Sequence, residues 1–500
     1  QAAALANEMI YVHTGDGSST GQNAGITLSQ TGLKLIGQGT SLSLQSLGLK
    51  VPGISSSTIV MPAGTAPLIE RPTGTAVTIT ADDVQVAGIR IGATGLHGIQ
   101  VTNADNVKIS NTIFDTIGNS SGDYGIYGAF TTAGPWNLDI SGNSFNNTFN
   151  NSIYIRTQNT ADLTLNVVNN SIDYAGSNAV YLRSDNTSNI TSTFTNNTFT
   201  NSIGHGIYAQ LTNSSTQDLA VSNNTLTGNN YGVYVQGQGA SNSTVSITDN
   251  SISRNRTYGI EVTTATTSDM DATISNNTIE NNGGYGIYVL SQSALSVDIL
   301  NNISRDNGNA GITLLSQSSA TLDGTVSGNT FSYNTNYGIY MNSTNTSTMT
   351  LDVLNNQTFE NSLYGIYSYV QTDSVMNATL DGNAIYGNNA TGLYLRTANN
   401  GLQNISVSNN IVRDNNQYGV YVDDDSTLSQ NIDLGGGALG STGGNSIYNN
   451  VNSDIVVDLD GDNLMAEGNW WGSATGLSAF KTTLQVGSTI DADPFLTEAP

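Results

Sequence analysis

The sequence predicts an all-β fold, a right-handed parallel β-helix (solenoid) with about 27 residues per coil and a capped C-terminal end. Three observations carry that expectation. A phrase of the form Tyr-Gly-Ile-Tyr-Val returns with its glycine, or an equivalent small residue, at positions 98, 125, 152, 179, 206, 232, 259, 286, 311, 338, 365, 392 and 419; ten of these twelve steps are 27 residues long. A fixed period in this range means stacked supersecondary units rather than one closed core. Each phrase alternates apolar and polar residues, as a strand with one buried face does. Acidic side chains are 31 Asp against 7 Glu, alongside 54 glycines, a balance that favours turns and strands over helices.

In chain order, residues 1–97 read as entry coils, 98–433 as the regular repeat, and 434–500 as irregular coils and a cap. The coil from Gly259 to Gly286 is representative. Ile260-Glu-Val-Thr263 alternates, a Thr/Ser turn follows, and Ala272-Thr-Ile-Ser-Asn-Asn-Thr-Ile279 alternates again. Glu280-Asn-Asn-Gly-Gly284 then turns into the next phrase. This leaves no room for an ordinary helix, and stacked coils bring each strand beside its counterpart as a parallel neighbour. Parallel crossovers are right-handed, which sets the hand of the solenoid.

The register assigns side chains. One and three residues past the anchor come aliphatics such as Ile153/Ile155, Val180/Leu182 and Ile287/Val289, predicted to stack inside. Each buried side chain is worth about 1.5–3 kcal/mol, so a coil holds its shape only against its neighbours. Nine residues before an anchor sit Asn143, Asn170, Asn197, Asn250, Asn277 and their successors, a ladder able to satisfy corner backbone groups. The sequons it creates, such as Asn169 and Asn196, follow from the ladder without glycosylation. Two residues past the anchor lies an outward tyrosine column, Tyr127 to Tyr421, interrupted by Gln100, Glu261 and Thr313, with a second tyrosine set immediately before the anchor. Such rows either stabilise a sheet by neighbour packing or offer flat surfaces to sugars and partners. The entry to the predicted cap is marked by Leu434-Gly-Gly-Gly-Ala, and the Trp470-Trp471 pair suits the end of a solenoid.

With Ile10-Tyr-Val, Leu33-Lys-Leu-Ile-Gly-Gln-Gly39 and Met61-Pro-Ala-Gly-Thr-Ala-Pro67 at one end, and Gly468-Asn-Trp-Trp-Gly472 and Asp491-Ala-Asp-Pro-Phe495 at the other, the chain resembles the right-handed parallel β-helix repeat proteins of bacterial and archaeal surfaces. Their architecture is shared with pectate lyases and phage tailspikes. The resemblance covers nearly the whole chain and implies the fold. It leaves function open, because the solenoid hosts adhesins, structural proteins and polysaccharide enzymes alike.

Composition narrows the function classes. A net charge of −25 with four lysines speaks against nucleic-acid binding and suits an extracellular or cell-surface setting. The absence of cysteine removes disulfides and thiolate metal sites. No apolar stretch reaches the roughly 18 residues of a membrane span. Both ends read as cuts in a longer or processed polypeptide.

The candidate ligand-binding residues are Tyr154, Arg156, Tyr181, Arg183, His205 and Tyr208, which the register collects into one basic and aromatic patch. Gly204-His205-Gly206 matches a motif of polygalacturonase-like hydrolases, but His205 occupies the pre-anchor slot held elsewhere by tyrosine, and that family's aspartates and Arg-Ile-Lys are missing. Asp185 is positioned to pair with Arg183. No residue is assigned a catalytic role. For metal, Asp458, Asp460 and Asp462 form the best cluster, with calcium as the ion their oxygens suit; no cofactor is required. The reading favours a non-catalytic surface stalk or adhesin over an enzyme, with glycans, cell-surface partners or copies of itself as partners. The alternatives are a polysaccharide-active enzyme (uronan lyase, epimerase or hydrolase) and a self-assembling filament or lattice subunit.

Overall fold

The computed structural model describes residues 4–15, 24–47, 49–459 and 462–500. They fall into two compact units, Gln1–Val233 and Tyr234–Pro500. Each unit is wound as a right-handed parallel β-helix of three sheets, as the 27-residue register predicts.

In the N-terminal unit, the tyrosine sheet sets Ile126–Phe130, Ile153–Thr157, Val180–Ser184 and Ile207–Leu211 side by side in parallel. A long-strand sheet follows from Trp136–Ser141, Asp162–Val168, Asn189–Thr195 and Thr216–Ser222. A short-strand sheet contains Arg90–Thr94, Ile113–Ile117, Ser144–Thr148 and Ser171–Ala175. The C-terminal unit repeats the plan. Ile260–Thr264, Ile287–Ser291, Ile312–Ser316, Ile339–Ser343, Ile366–Gln371 and Leu393–Ala398 run in its tyrosine sheet. Its long strands, from Asn242–Thr248 to Leu402–Ser408, alternate buried and exposed residues.

The interior is the predicted aliphatic stack. Ile153, Ile155, Val180 and Leu182 are fully buried, and so are Ile287, Val289, Ile312 and Leu314. Phenylalanine enters the stack beneath the short-strand sheet, where Phe114 and Phe145 lie face to face at 4.3 Å.

The asparagine ladder is present in both units. Asn143 donates from its backbone N–H and its side-chain amide to Asn170 Oδ1, and Asn170 does the same to Asn197. Asn277, Asn302, Asn329 and Asn356 continue the pattern in the C-terminal unit. A second ladder, four residues before the anchors, goes beyond the one that the sequence predicts. It links Asn255, Asn282, Asn307, Asn334, Asn361, Asn388 and Asn415 by the same paired bonds. Two columns therefore tie successive C-terminal coils at two corners, so that buried polar groups support the register instead of opposing it.

Past Asp433 the repeat gives way to the glycine-rich loop. The buried Asp433 carboxylate organises it by accepting bonds from the backbone N–H groups of Gly435, Gly437 and Ser441. Among the described residues, no helix is long and apolar enough to cross a membrane.

Candidate functional site

The tyrosine sheet brings the predicted residues together. Tyr154, Tyr181 and Tyr208 occupy one register position on three successive strands. Their rings stack at 5.0 and 4.8 Å. Two positions further on, Arg156 and Arg183 are register neighbours. Alternation forces both columns outward, because the intervening Ile155 and Leu182 point into the core.

The two arginines converge on one carboxylate. Arg156 Nε donates to Asp185 at 2.7 Å, and Arg183 Nε donates to the same group at 2.9 Å. The Asp185 side chain is 5% exposed, whereas the arginines are 32% and 36% exposed. Burial opposes ionisation of Asp185, but the bonds from Arg183, Thr212 and Arg156 outweigh it and hold the carboxyl below its ordinary range. Two guanidinium groups on one carboxylate leave a positive excess.

His205 borders the patch through its ring. It stacks on Tyr231 at 4.5 Å and meets Tyr208 edge-on at 5.3 Å. Burial lowers its pKa to about 4, so the imidazole is neutral at physiological pH. Tyr154 and Tyr181 are pushed the other way, mainly by burial, and stay protonated.

The tyrosine columns are more closed than outward alternation alone implies. Tyr154, Tyr367 and Tyr394 are only 8–9% exposed. The pre-anchor row covers them: Tyr124 packs on Tyr154 at 4.8 Å, and Tyr364 on Tyr394 at 5.1 Å. The rows form a packed aromatic layer, in which the Tyr181 hydroxyl donates to Gln210 Oε1.

Two features of the C-terminal unit lie outside the residues predicted from the sequence. Glu261 replaces tyrosine in the column, with Tyr288 as its register neighbour. It is 9% exposed, and burial raises its pKa to about 7. The signal was visible as an interruption in a column of tyrosines. Further along, Arg396 lies over the Tyr369 ring at 5.4 Å. Arg396 also faces Asp423 at 3.5 Å and Asp425 at 3.3 Å, and the Tyr394 hydroxyl donates to Asp423.

Of the metal candidates, Asp458 ends the strand Ser453–Asp458 beside Asp423, and Asp462 accepts a 3.5 Å bond from Ser429. Asp460 lies outside the described residues. Among the described residues, no three His, Asp or Glu side chains are grouped to hold a metal ion.

A family model described as a right-handed β-helix region matches residues 157–325 and 213–375. A second, described as a protein of unknown function (DUF1565), matches residues 306–475. No curated protein matches the sequence. Among solved structures, the chain is similar to the periplasmic alginate epimerase AlgG, with 11% identity over 94% of this chain and 84% of that one and a TM-score of 0.29. It is also similar to the A-modules of the Azotobacter vinelandii mannuronan C-5 epimerases AlgE6 and AlgE4, each with 15% identity over 84% of this chain and 91% of the other and a TM-score of 0.32. These values transfer neither residues nor activity.

One expectation needs correction, the preference for a non-enzyme over an enzyme. That expectation rested on the purity of the register. The physical reason is that the register constrains inward residues. An outward position can change from tyrosine to arginine, histidine or glutamate without disturbing the core, so regularity does not weigh against chemistry.

Proposed function

We propose that the chain is a polysaccharide-active enzyme whose substrate is an acidic, uronate-containing glycan bound along the tyrosine sheet of the N-terminal unit. One observation carries this reading: Arg156 and Arg183 share the single carboxylate of Asp185 beside a stack of three tyrosines. The pair offers cationic donors to a uronate carboxylate, while the tyrosine layer offers hydroxyls and ring edges to the sugar.

The chemistry this supports is proton abstraction next to the uronate carboxyl. The C5–H bond breaks, its electron pair moves into the C5–C6 bond, and the carboxylate oxygens take up the charge of an enolate. Two nearby guanidinium groups stabilise that charge more in the transition state than in the ground state. His205, held neutral, is in the form that accepts a proton. Return of a proton to the opposite face gives an epimer, and expulsion of the O4 substituent gives an unsaturated sugar. Hydrolysis is less favoured, since it uses two carboxyl groups flanking the scissile bond, and Asp185 is buried and engaged by both arginines. The charge of −25 supports an extracytoplasmic setting.

The test is incubation with pectate, alginate and related uronans. Ultraviolet absorbance would report unsaturated products, and proton NMR in deuterium oxide would report exchange at C5. Activity lost in Arg183→Ala supports the reading. Failure of the folded protein to turn over any uronan overturns it.

A further inference from the structure

A second polar site lies on a different face of the N-terminal unit, on the outside of the short-strand sheet. Its residues come from four neighbouring strands. Arg90, Ile113 and Ser171 belong to one outward column, while Asp115, Asn146 and Asp173 belong to the next. The segment Thr65–Ala66 walls one side, enclosing a groove of about 350 Å³. That volume falls within the range of small-ligand sites, about 300–1,000 Å³.

The groups lining the groove are held in place by partners around it. Arg90 donates to Asp115. Asp173 accepts from Thr200 Oγ1 and Asn201 Nδ2, each at 2.8 Å. Asp115 and Asp173 stand two strands apart with Asn146 between them. At about 4.8 Å per strand, the acceptors are spread over roughly 10 Å, the span of a sugar ring with its hydroxyls. Ile113 is 40% exposed and supplies an apolar surface for a ring's C–H face. Two carboxylates against one guanidinium leave this groove negative, the reverse of the Arg156–Arg183 patch, so it disfavours a uronate.

We propose that this groove is a binding site for a neutral, hydroxyl-rich saccharide, separate from the tyrosine sheet. The carboxylates and the Asn146 amide accept and donate to vicinal hydroxyls, Arg90 donates, and Ile113 underlies the ring. Because the two sites lie on different sheets and prefer opposite charge, one chain can hold two glycan chemistries at once.

Calorimetric titration of the full chain with cellobiose, mannobiose and galactobiose, and with a diuronate for comparison, tests this. Binding of at least one neutral disaccharide in preference to the diuronate is expected. It should weaken at least tenfold in Asn146→Ala and in Ser171→Trp, which fills the groove from an exposed position, and stay unchanged in Arg183→Ala. Circular dichroism confirms that each variant is folded, and Ser171→Leu, which fills the groove less and should also weaken binding, replaces the tryptophan should that disturb the sheet. No binding of any neutral sugar, a preference for the diuronate, or binding that survives both Asn146→Ala and filling of the groove overturns the proposal. Loss of uronan turnover alone bears on the tyrosine sheet and leaves this site standing.

Discussion

The two units decorate their tyrosine columns with opposite charge. In the N-terminal unit, two arginines four residues past their anchors share one buried aspartate. In the C-terminal unit, one arginine at the equivalent position faces two aspartates, Asp423 and Asp425. The titratable substitutions differ as well. His205 is a base held neutral in the first unit, and Glu261 is an acid held largely protonated below neutral pH in the second. Similar aliphatic inward residues thus support a cationic stretch in one unit and an anionic stretch in the other. Fold and function are written on alternate residues of the same strands.

The largest expected effect lies at Glu261. Its folded pKa of about 7 stands above the unfolded value of 4.5, so the native state binds the extra proton between those limits. Its contribution is therefore fully present below about pH 4.5 and lost as pH rises towards and through 7. At 1.36 kcal/mol per pKa unit the swing is roughly 3 kcal/mol. Glu261→Gln should remove this loss, leaving the protein about 3 kcal/mol more stable than the parent at pH 8 and little changed at pH 4. Urea unfolding at the two pH values measures it, and equal stabilisation at both would deny that titration is the cause.

Next in size is the effect of Arg183→Ala on uronan turnover, a fall of about 100-fold, in the range found when one donor to a developing anion is removed. Arg396→Ala in the other unit should change it less than about threefold, since that guanidinium is already faced by two carboxylates. Equal losses in the two variants would erase the distinction between the units.

How much of this could be read in advance differs by level. The aliphatic stack, the parallel register and the ladder through Asn170 follow directly from the spacing, because each is a column of like residues at one offset. The second ladder, through Asn282 and Asn307, is hidden because each coil carries several asparagines and spacing alone does not tell which of them turn inward. The closeness of the tyrosine layer was also hidden. Alternation tells that Tyr154 points outward, but its burial depends on Tyr124 leaning across from a neighbouring coil. The groove around Asn146 needs Thr65 and Ala66, about 80 residues away in sequence and outside the regular repeat. The role of Asp185 as partner to Arg183 was legible; its simultaneous bond to Arg156 was not, because that bond crosses to the neighbouring coil.

The smallest expected effect completes the comparison from the N-terminal side. His205 has a folded pKa of about 4, depressed by burial from 6.5. As pH falls through that interval the unfolded chain takes up a proton before the native one does, so stability contributed by the neutral imidazole is present above about 6.5 and lost towards 4. The slope is opposite in sign to that of Glu261. Because the ring retains some contact with solvent, a swing of about 1–2 kcal/mol is expected rather than the full conversion. His205→Tyr restores the residue that the register places before most anchors, and should flatten the acid side of the pH–stability curve without touching the Glu261 slope. In the double variant with Glu261→Gln, both slopes should vanish between pH 4 and 7, and urea midpoints across that interval would show it. A residual slope of either sign would assign the titration to other groups on the tyrosine sheets, and the charge contrast between the two units would then rest on the arginines and aspartates alone.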